Sequence, residues 1–118
     1  DPGNVSALNA LGYTLADRTD RYSEALVYIQ KALQAQPDDP AILDSMGWVQ
    51  YRLGNFDEAE HYLRRANALI DDDEIMSHLS ELMWVRGRHE EALEMLNQGL
   101  KKFPDSEYLQ GLKQRIQQ

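Results

Sequence analysis

Apolar side chains recur along the chain at spacings of three and four residues, with polar residues between them. Leu8, Leu11 and Leu15 form one such stripe, and segment 25–33 carries another. This spacing matches the turn of an α-helix, and no segment shows the sustained alternation that is typical of a β-strand. Short breaks rich in Gly, Pro, Asn or Asp separate the segments, as at 37–40 and 53–55. The pattern predicts an all-α chain.

Small residues repeat with a period close to the length of two helices and their turns. Ala25, Ala59 and Ala92 lie 34 and 33 residues apart, and each follows a glutamate. Two further small positions repeat with the same period. One is occupied by Gly12, Gly47 and Ser80 in the preceding helices. The other lies seven residues after each of the three alanines and is occupied by Ala32, Ala66 and Gly99. Only small side chains allow two helices to cross with their backbones close together. The period therefore predicts three similar helical hairpins.

These residues resemble the tetratricopeptide repeat family, which has a period of about 34 residues. The matching residues are Leu8, Leu11, Gly12, Ala25, Ile29, Ala32 and Pro37 in the first copy, Leu43, Met46, Gly47, Ala59, Leu63 and Ala66 in the second, and Met76, Leu79, Ser80, Ala92, Leu96, Gly99 and Pro104 in the third. The resemblance implies a right-handed α–α superhelix that fills residues 1–118 as a single array. Its repeats are expected at 4–37, 38–71 and 72–104, with a capping helix at 105–118.

Three departures from the family pattern carry further expectations. Gly12 and Ala25 are one residue further apart than Gly47 and Ala59, which predicts a longer turn in the first hairpin. Ser80 should be tolerated, whereas Gly99 should weaken the end of its helix by up to about 1 kcal/mol.

The two ends of the array are predicted to differ. The capping helix should place its apolar residues on one face, namely Tyr108, Leu109, Leu112 and Ile116. Asp1 and Pro2 stand where the exit of an earlier repeat would stand, which indicates more repeats upstream. We therefore expect self-association through the uncapped face of the first repeat as one possible property of this chain.

In this family the first helices of the repeats line a concave groove, and the second helices form the convex back. Helix phase predicts that the groove carries polar and aromatic side chains suited to a partner peptide or helix. The predicted partner-binding residues are Asn9, Tyr13, Asp17, Asp44, Ser45, Trp48, Tyr51, Arg52, Glu74, His78, Glu81 and Trp84. For the aromatic members the alternative stays open that they pack between repeats.

Charge narrows the partner class. The 118 residues include 12 Lys and Arg against 20 Asp and Glu, for a net charge of −8. Such a surface disfavours nucleic acid and anionic membranes, and no apolar run could insert this fragment into a bilayer. The family's clamp for acidic carboxyl termini is matched only by Asn9, and Glu74 reverses its charge. The sequence therefore favours a neutral-apolar or basic protein segment over an acidic tail.

The sequence indicates no enzyme, and we predict no catalytic residue, metal site or cofactor. The chain has no cysteine, and His61, His78 and His89 show no metal-binding spacing. The acidic run at 71–74 lacks the ligand pattern of a calcium loop and is expected to cap a helix.

The predicted function is that of a protein–protein interaction module. The runs 9–19 and 44–48 are also similar to the carboxyl-terminal repeats of proteobacterial envelope lipoproteins. That resemblance implies an outer-membrane-anchored scaffold on the periplasmic side, which could serve as an adaptor for a carboxyl-terminal processing protease. The cytoplasm stays open as a location. The alternative function is a structural segment of a superhelix, or a self-association module without a peptide groove.

Overall fold

The computed structural model describes residues 4–117, and the predicted role of Asp1 and Pro2 lies outside them. This part of the chain holds seven α-helices and no strand. They are α1 (Val5–Arg18), α2 (Tyr22–Ala35), α3 (Pro40–Arg52), α4 (Phe56–Leu69), α5 (Asp73–Val85), α6 (His89–Lys102) and α7 (Glu107–Ile116). The all-α prediction is confirmed.

Polar side chains begin four of these helices. The side-chain oxygens of Asn4, Asp39, Asp72 and Ser106 accept hydrogen bonds from backbone N–H groups in the first turns of α1, α3, α5 and α7. Such caps satisfy donors that have no partner within the helix. The acidic run at 71–74 therefore caps α5, as predicted.

The turns that end α3 and α5 are built alike. Gly54 and Gly87 adopt φ angles of +86° and +84°, which favour glycine. In the first of these turns Gly54 N–H donates to the Tyr51 carbonyl at 3.0 Å, and Asn55 N–H donates to the Gln50 carbonyl at 2.8 Å. This pair of bonds is the Schellman arrangement that closes a helix.

The first hairpin does not have the longer turn that we predicted. Three residues separate α1 from α2, as in the other two hairpins, whereas α1 has 14 residues against 13 in α3 and α5. The extra residue extends the helix because Thr19 N–H still donates to the Leu15 carbonyl at 3.2 Å. The helical hydrogen bonds of α1 thus continue for one residue more than those of α3 and α5, which end at glycine turns.

The chain forms two compact units, the first ending at Ala66 and the second beginning at Asn67. In the first unit α1, α2 and α3 pack against one another. Gly12 lies so close to α2 that a Cβ atom there would stand 2.5 Å from Ile29 Cγ1. A Cβ on Gly47 would stand 2.6 Å from Leu63 Cγ. Both glycines are therefore required by close helix crossings.

The second unit packs α5, α6 and α7 together. Leu109 and Leu112 of α7 are buried with Met76 and Leu96. Tyr108 was predicted to share this apolar face, but it is 51% exposed. It differs because it lies one helical position, or about 100°, from Leu109. The repeat boundaries drawn from the sequence stay a prediction.

Candidate partner-binding surface

Helices α1 and α3 of the first unit lie side by side, and a side-chain hydrogen bond joins them. The indole Nε1–H of Trp48 donates to Asp17 Oδ1 over 3.2 Å. Asp17 is exposed, whereas Trp48 is only 6% exposed. Trp48 thus belongs to the hydrophobic core of the first unit, which favours the packing alternative for this side chain.

Two other predicted binding residues of α3 are also buried. Asp44 and Ser45 are 5% and 2% exposed. The Ser45 hydroxyl donates to the Ala41 carbonyl at 3.1 Å, within its own helix. Both side chains are therefore buried, whereas we expected them to be exposed to a partner.

The end of α3 carries an aromatic row. The Tyr51 ring lies 4.9 Å from the Trp48 ring and 5.8 Å from the Phe56 ring, centroid to centroid. Next to it, the exposed Arg52 guanidinium lies 5.5 Å from the centre of the Tyr22 ring. Tyr51 is half-buried, so only part of this row meets solvent.

Helix α1 presents hydrogen-bond acceptors. Asn9, Tyr13 and Asp17 are spaced by four residues and therefore share one helix face. Asn9 and Tyr13 are half-buried. Within residues 4–117 the Asn9 Oδ1 atom is buried and has no hydrogen-bond partner. The Asn9 oxygen therefore does not face solvent, and the exposed acceptor on this helix face is the Asp17 carboxylate.

The predicted residues of the second unit are engaged within that unit. His78 is 6% exposed, and its Nε2 atom lies 3.9 Å from the Glu74 carboxylate on the preceding helical turn. Glu81 accepts a hydrogen bond of 2.8 Å from Arg115 Nη2. Trp84 stacks on His89, with centroids 3.9 Å apart and planes at 12°.

Arg115 is a residue that sequence reasoning missed. We did not predict that α7 would supply a cation to the predicted surface, but Arg115 pairs with Glu81. The only sequence signal is that Arg115 lies 34 residues, or one repeat, after Glu81. A repeat period shows which helices correspond, but it does not show that a capping helix returns a side chain to α5.

Other site classes find no support in the described residues. Across residues 4–117, no three His, Asp or Glu side chains come together in a way that could hold a metal ion. Within the same range, no helix combines the length and the apolar character that crossing a membrane would need.

A family-wide sequence comparison matches the tetratricopeptide repeat over residues 18–76 and 70–116. The chain belongs to the tetratricopeptide repeat family. The prediction of a tetratricopeptide repeat chain is thereby confirmed.

Among curated proteins, TPR repeat-containing protein PA4667 of Pseudomonas aeruginosa is 59% identical over 81 residues. The match covers 69% of this tetratricopeptide repeat chain but only 14% of that protein. The chain thus corresponds to a small part of a much longer relative.

Solved structures show the same fold. The tetratricopeptide repeat protein TTC0263 of Thermus thermophilus superposes with a TM-score of 0.82 and 27% identity, over 100% of this chain and 66% of that chain. The first tetratricopeptide repeat domain of Spaghetti (RPAP3), bound to the HSP90 peptide SRMEEVD, superposes with a TM-score of 0.77. It is 21% identical and covers 100% of this chain and 97% of its own. At that identity the similarity shows the fold alone.

Proposed function

We propose that the chain is a protein–protein interaction module that binds a partner segment with the first helices of its repeats. The observation that carries this proposal is the acceptor face of α1. Asp17 offers an exposed carboxylate, and the half-buried Asn9 lies about 12 Å away on the same helix face. Tyr13 lies between them and adds ring surface.

The partner segment on this face should be rich in hydrogen-bond donors. Amide and carboxylate oxygens accept hydrogen bonds, and a carboxylate can accept more than the one that Trp48 donates to Asp17. Backbone N–H groups and the side chains of Lys or Arg are suitable donors. The net charge of −8 favours the approach of a basic segment and opposes that of an acidic one.

The acidic peptide SRMEEVD, which is bound by the Spaghetti domain of the same fold, therefore tests the proposed partner class. We expect the charge-reversed peptide SRMKKVK to bind this chain at least about fivefold more tightly than SRMEEVD at low salt. Fluorescence anisotropy of the labelled peptides measures both affinities. Equal affinity, or tighter binding of SRMEEVD, would contradict the proposed partner class.

Asp17→Asn tests the site itself. Asparagine keeps an oxygen that can accept the Trp48 N–H but removes the charge. We expect it to weaken SRMKKVK binding about three- to tenfold with little change in melting temperature. Asp20→Asn is the matched control, because Asp20 is exposed in the turn after α1 and lies outside the predicted surface. If both variants weaken binding equally, only general electrostatics is at work.

A more specific role follows from the sequence resemblance to envelope lipoproteins. We propose that the full protein is an envelope scaffold that presents these repeats to a carboxyl-terminal processing protease. The high identity with a Pseudomonas aeruginosa protein supports a bacterial setting for this role. Membrane fractionation and affinity capture from the source cell test it. Recovery of the full protein in the soluble fraction without a protease would count against it.

Self-association is the second candidate function, and Leu11 favours it. Leu11 is 45% exposed, whereas the equivalent residues Met46 and Leu79 are 2% and 1% exposed. A second copy of the chain could cover this position. Leu11→Lys should then abolish self-association in light scattering, whereas Val27→Lys should not, although Val27 is 49% exposed. A monomer at every concentration would exclude this candidate.

A further inference from the structure

One face of α5 in the second unit carries two carboxylates. Glu74 and Glu81 lie seven residues apart, so they share a helix face and are separated by about 10 Å along the axis. The exposed fractions of their side chains are 27% and 22%. A carboxylate that is partly removed from water attracts a cation more strongly than a fully exposed one. This face of α5 is therefore suited to a basic side chain.

The structure already holds a guanidinium on this face. Arg115 of α7 donates a hydrogen bond from Nη2 to Glu81 Oε1 over 2.8 Å. Gly111, one turn earlier on α7, has no side chain, and a Cβ atom there would lie 3.6 Å from Arg115 Nη1. The guanidinium thus packs over the glycine and reaches α5. The chemistry that Glu81 recognises is that of an arginine side chain.

Helix α7 is held in place by contacts that do not involve Arg115. Leu109 and Leu112 are buried in the core of the second unit. The Ser77 hydroxyl of α5 also donates to the Tyr108 carbonyl at 3.3 Å. The Arg115 side chain, in contrast, is 59% exposed, and an ion pair this exposed is weak. Arg115 can therefore leave Glu81 while α7 stays docked.

We propose that Arg115 is an internal substitute for a basic side chain of the partner segment, and that Glu81 accepts that side chain once Arg115 has left. The inference rests on the proposed function, which assigns a basic partner. Glu81 is then an acceptor in the second unit, in addition to Asp17 in the first. Arg115 lowers the affinity for the partner, because only the fraction of molecules with an unoccupied Glu81 is competent to bind at this position.

Arg115→Gln tests the proposal by removing the internal competitor. We expect it to bind SRMKKVK about two- to fivefold more tightly than the native chain, which is the range that an exposed ion pair allows. Fluorescence anisotropy measures the affinities. Lys113→Gln is the matched control, because it removes the same charge from an exposed position of the same helix. An equal gain from both variants would show general electrostatics only and would overturn the proposal.

Glu81→Gln tests the acceptor. In a chain that carries this substitution, Arg115→Gln should strengthen SRMKKVK binding no more than Lys113→Gln does, because no carboxylate remains for Arg115 to occupy. A gain as large as in the presence of Glu81 would overturn the assignment to this carboxylate. Melting curves verify that each variant is folded.

NMR of the arginine Nε–H groups reports on Arg115 directly. Its signal is the one that the spectrum of Arg115→Gln lacks. In the native chain SRMKKVK should shift this signal with the midpoint that anisotropy gives. An unchanged Arg115 signal at saturation would overturn this inference and leave the proposed function standing. Failure of SRMKKVK to bind both the native chain and Arg115→Gln would instead refute the proposed function, and this inference with it.

Discussion

The two tryptophans of this chain occupy similar helices in the two units but have different environments. Trp48 of α3 is 6% exposed and donates its N–H to Asp17 of α1. Trp84 of α5 is half-buried and stacks on His89, the first residue of the next helix. Helix phase predicted both on one binding surface. Helix phase predicts the direction in which a side chain leaves its helix, but it does not reveal which neighbouring residues bury that side chain.

The largest expected effect is that of Trp48→Ala. Removing this buried ring should lower the free energy of unfolding by about 3–5 kcal/mol, because it leaves a cavity and takes away the donor that Asp17 accepts. Urea unfolding followed by circular dichroism measures the change. Trp84→Ala, which removes a half-buried ring, should cost about 1–2 kcal/mol.

Equal losses of unfolding free energy from Trp48→Ala and Trp84→Ala would contradict the conclusion that the two tryptophans differ in burial. A loss below about 1 kcal/mol for Trp48→Ala would restore the interpretation of Trp48 as a surface residue. Trp48→Phe separates the two contributions, since it keeps an aromatic ring but has no donor for Asp17.

The next largest effect concerns the helix crossings. Gly47→Ala should destabilise the chain by about 1–3 kcal/mol, because the added Cβ would lie 2.6 Å from Leu63 Cγ. Thermal and urea unfolding both report this loss. Gly54→Ala also introduces strain, but through its φ of +86° and without any atom within 4 Å. Repacking of Leu63, visible in methyl NMR, should therefore accompany only the Gly47 variant.

Ser80 stands at the equivalent crossing position of the second unit and provides the contrast. It is fully buried, and across residues 4–117 its hydroxyl oxygen has no hydrogen-bond partner. Ser80→Ala keeps the Cβ atom and removes only this hydroxyl, so it should be neutral or stabilising by up to about 1 kcal/mol. A destabilisation as large as that of Gly47→Ala would mean that the hydroxyl has a structural role.

The smallest expected effect is that of His89→Ala. Loss of the stack on Trp84 should cost about 0.5–1 kcal/mol and should reduce the near-ultraviolet circular dichroism of the tryptophans. His61→Ala is the control, because that exposed histidine makes its ring contact with Tyr62, edge-on, at 5.3 Å between centroids. An unchanged near-ultraviolet spectrum for His89→Ala would show that the stack does not order Trp84.

Much of the fold was predictable because its signals are local. Asp72 caps α5, and the prolines at 37 and 104 each follow a helix end by two residues. Gly12 and Gly47 mark crossings where an added Cβ would lie within 3.0 Å of Ile29 and Leu63 and force them to shift. The candidate surface was less predictable: Asp17 is exposed as expected, whereas Asp44 and His78 are buried. Their burial depends on neighbouring helices that helix phase does not describe.

By itself, the sequence determined the helices, their caps and the repeat, since these depend on periodicity and on residues within a few positions of one another. Only the tertiary structure decided that Trp48 reaches Asp17 and that Arg115 pairs with Glu81. Each of these features joins residues more than 30 positions apart. Such features arise from packing, which a pattern along one helix does not contain.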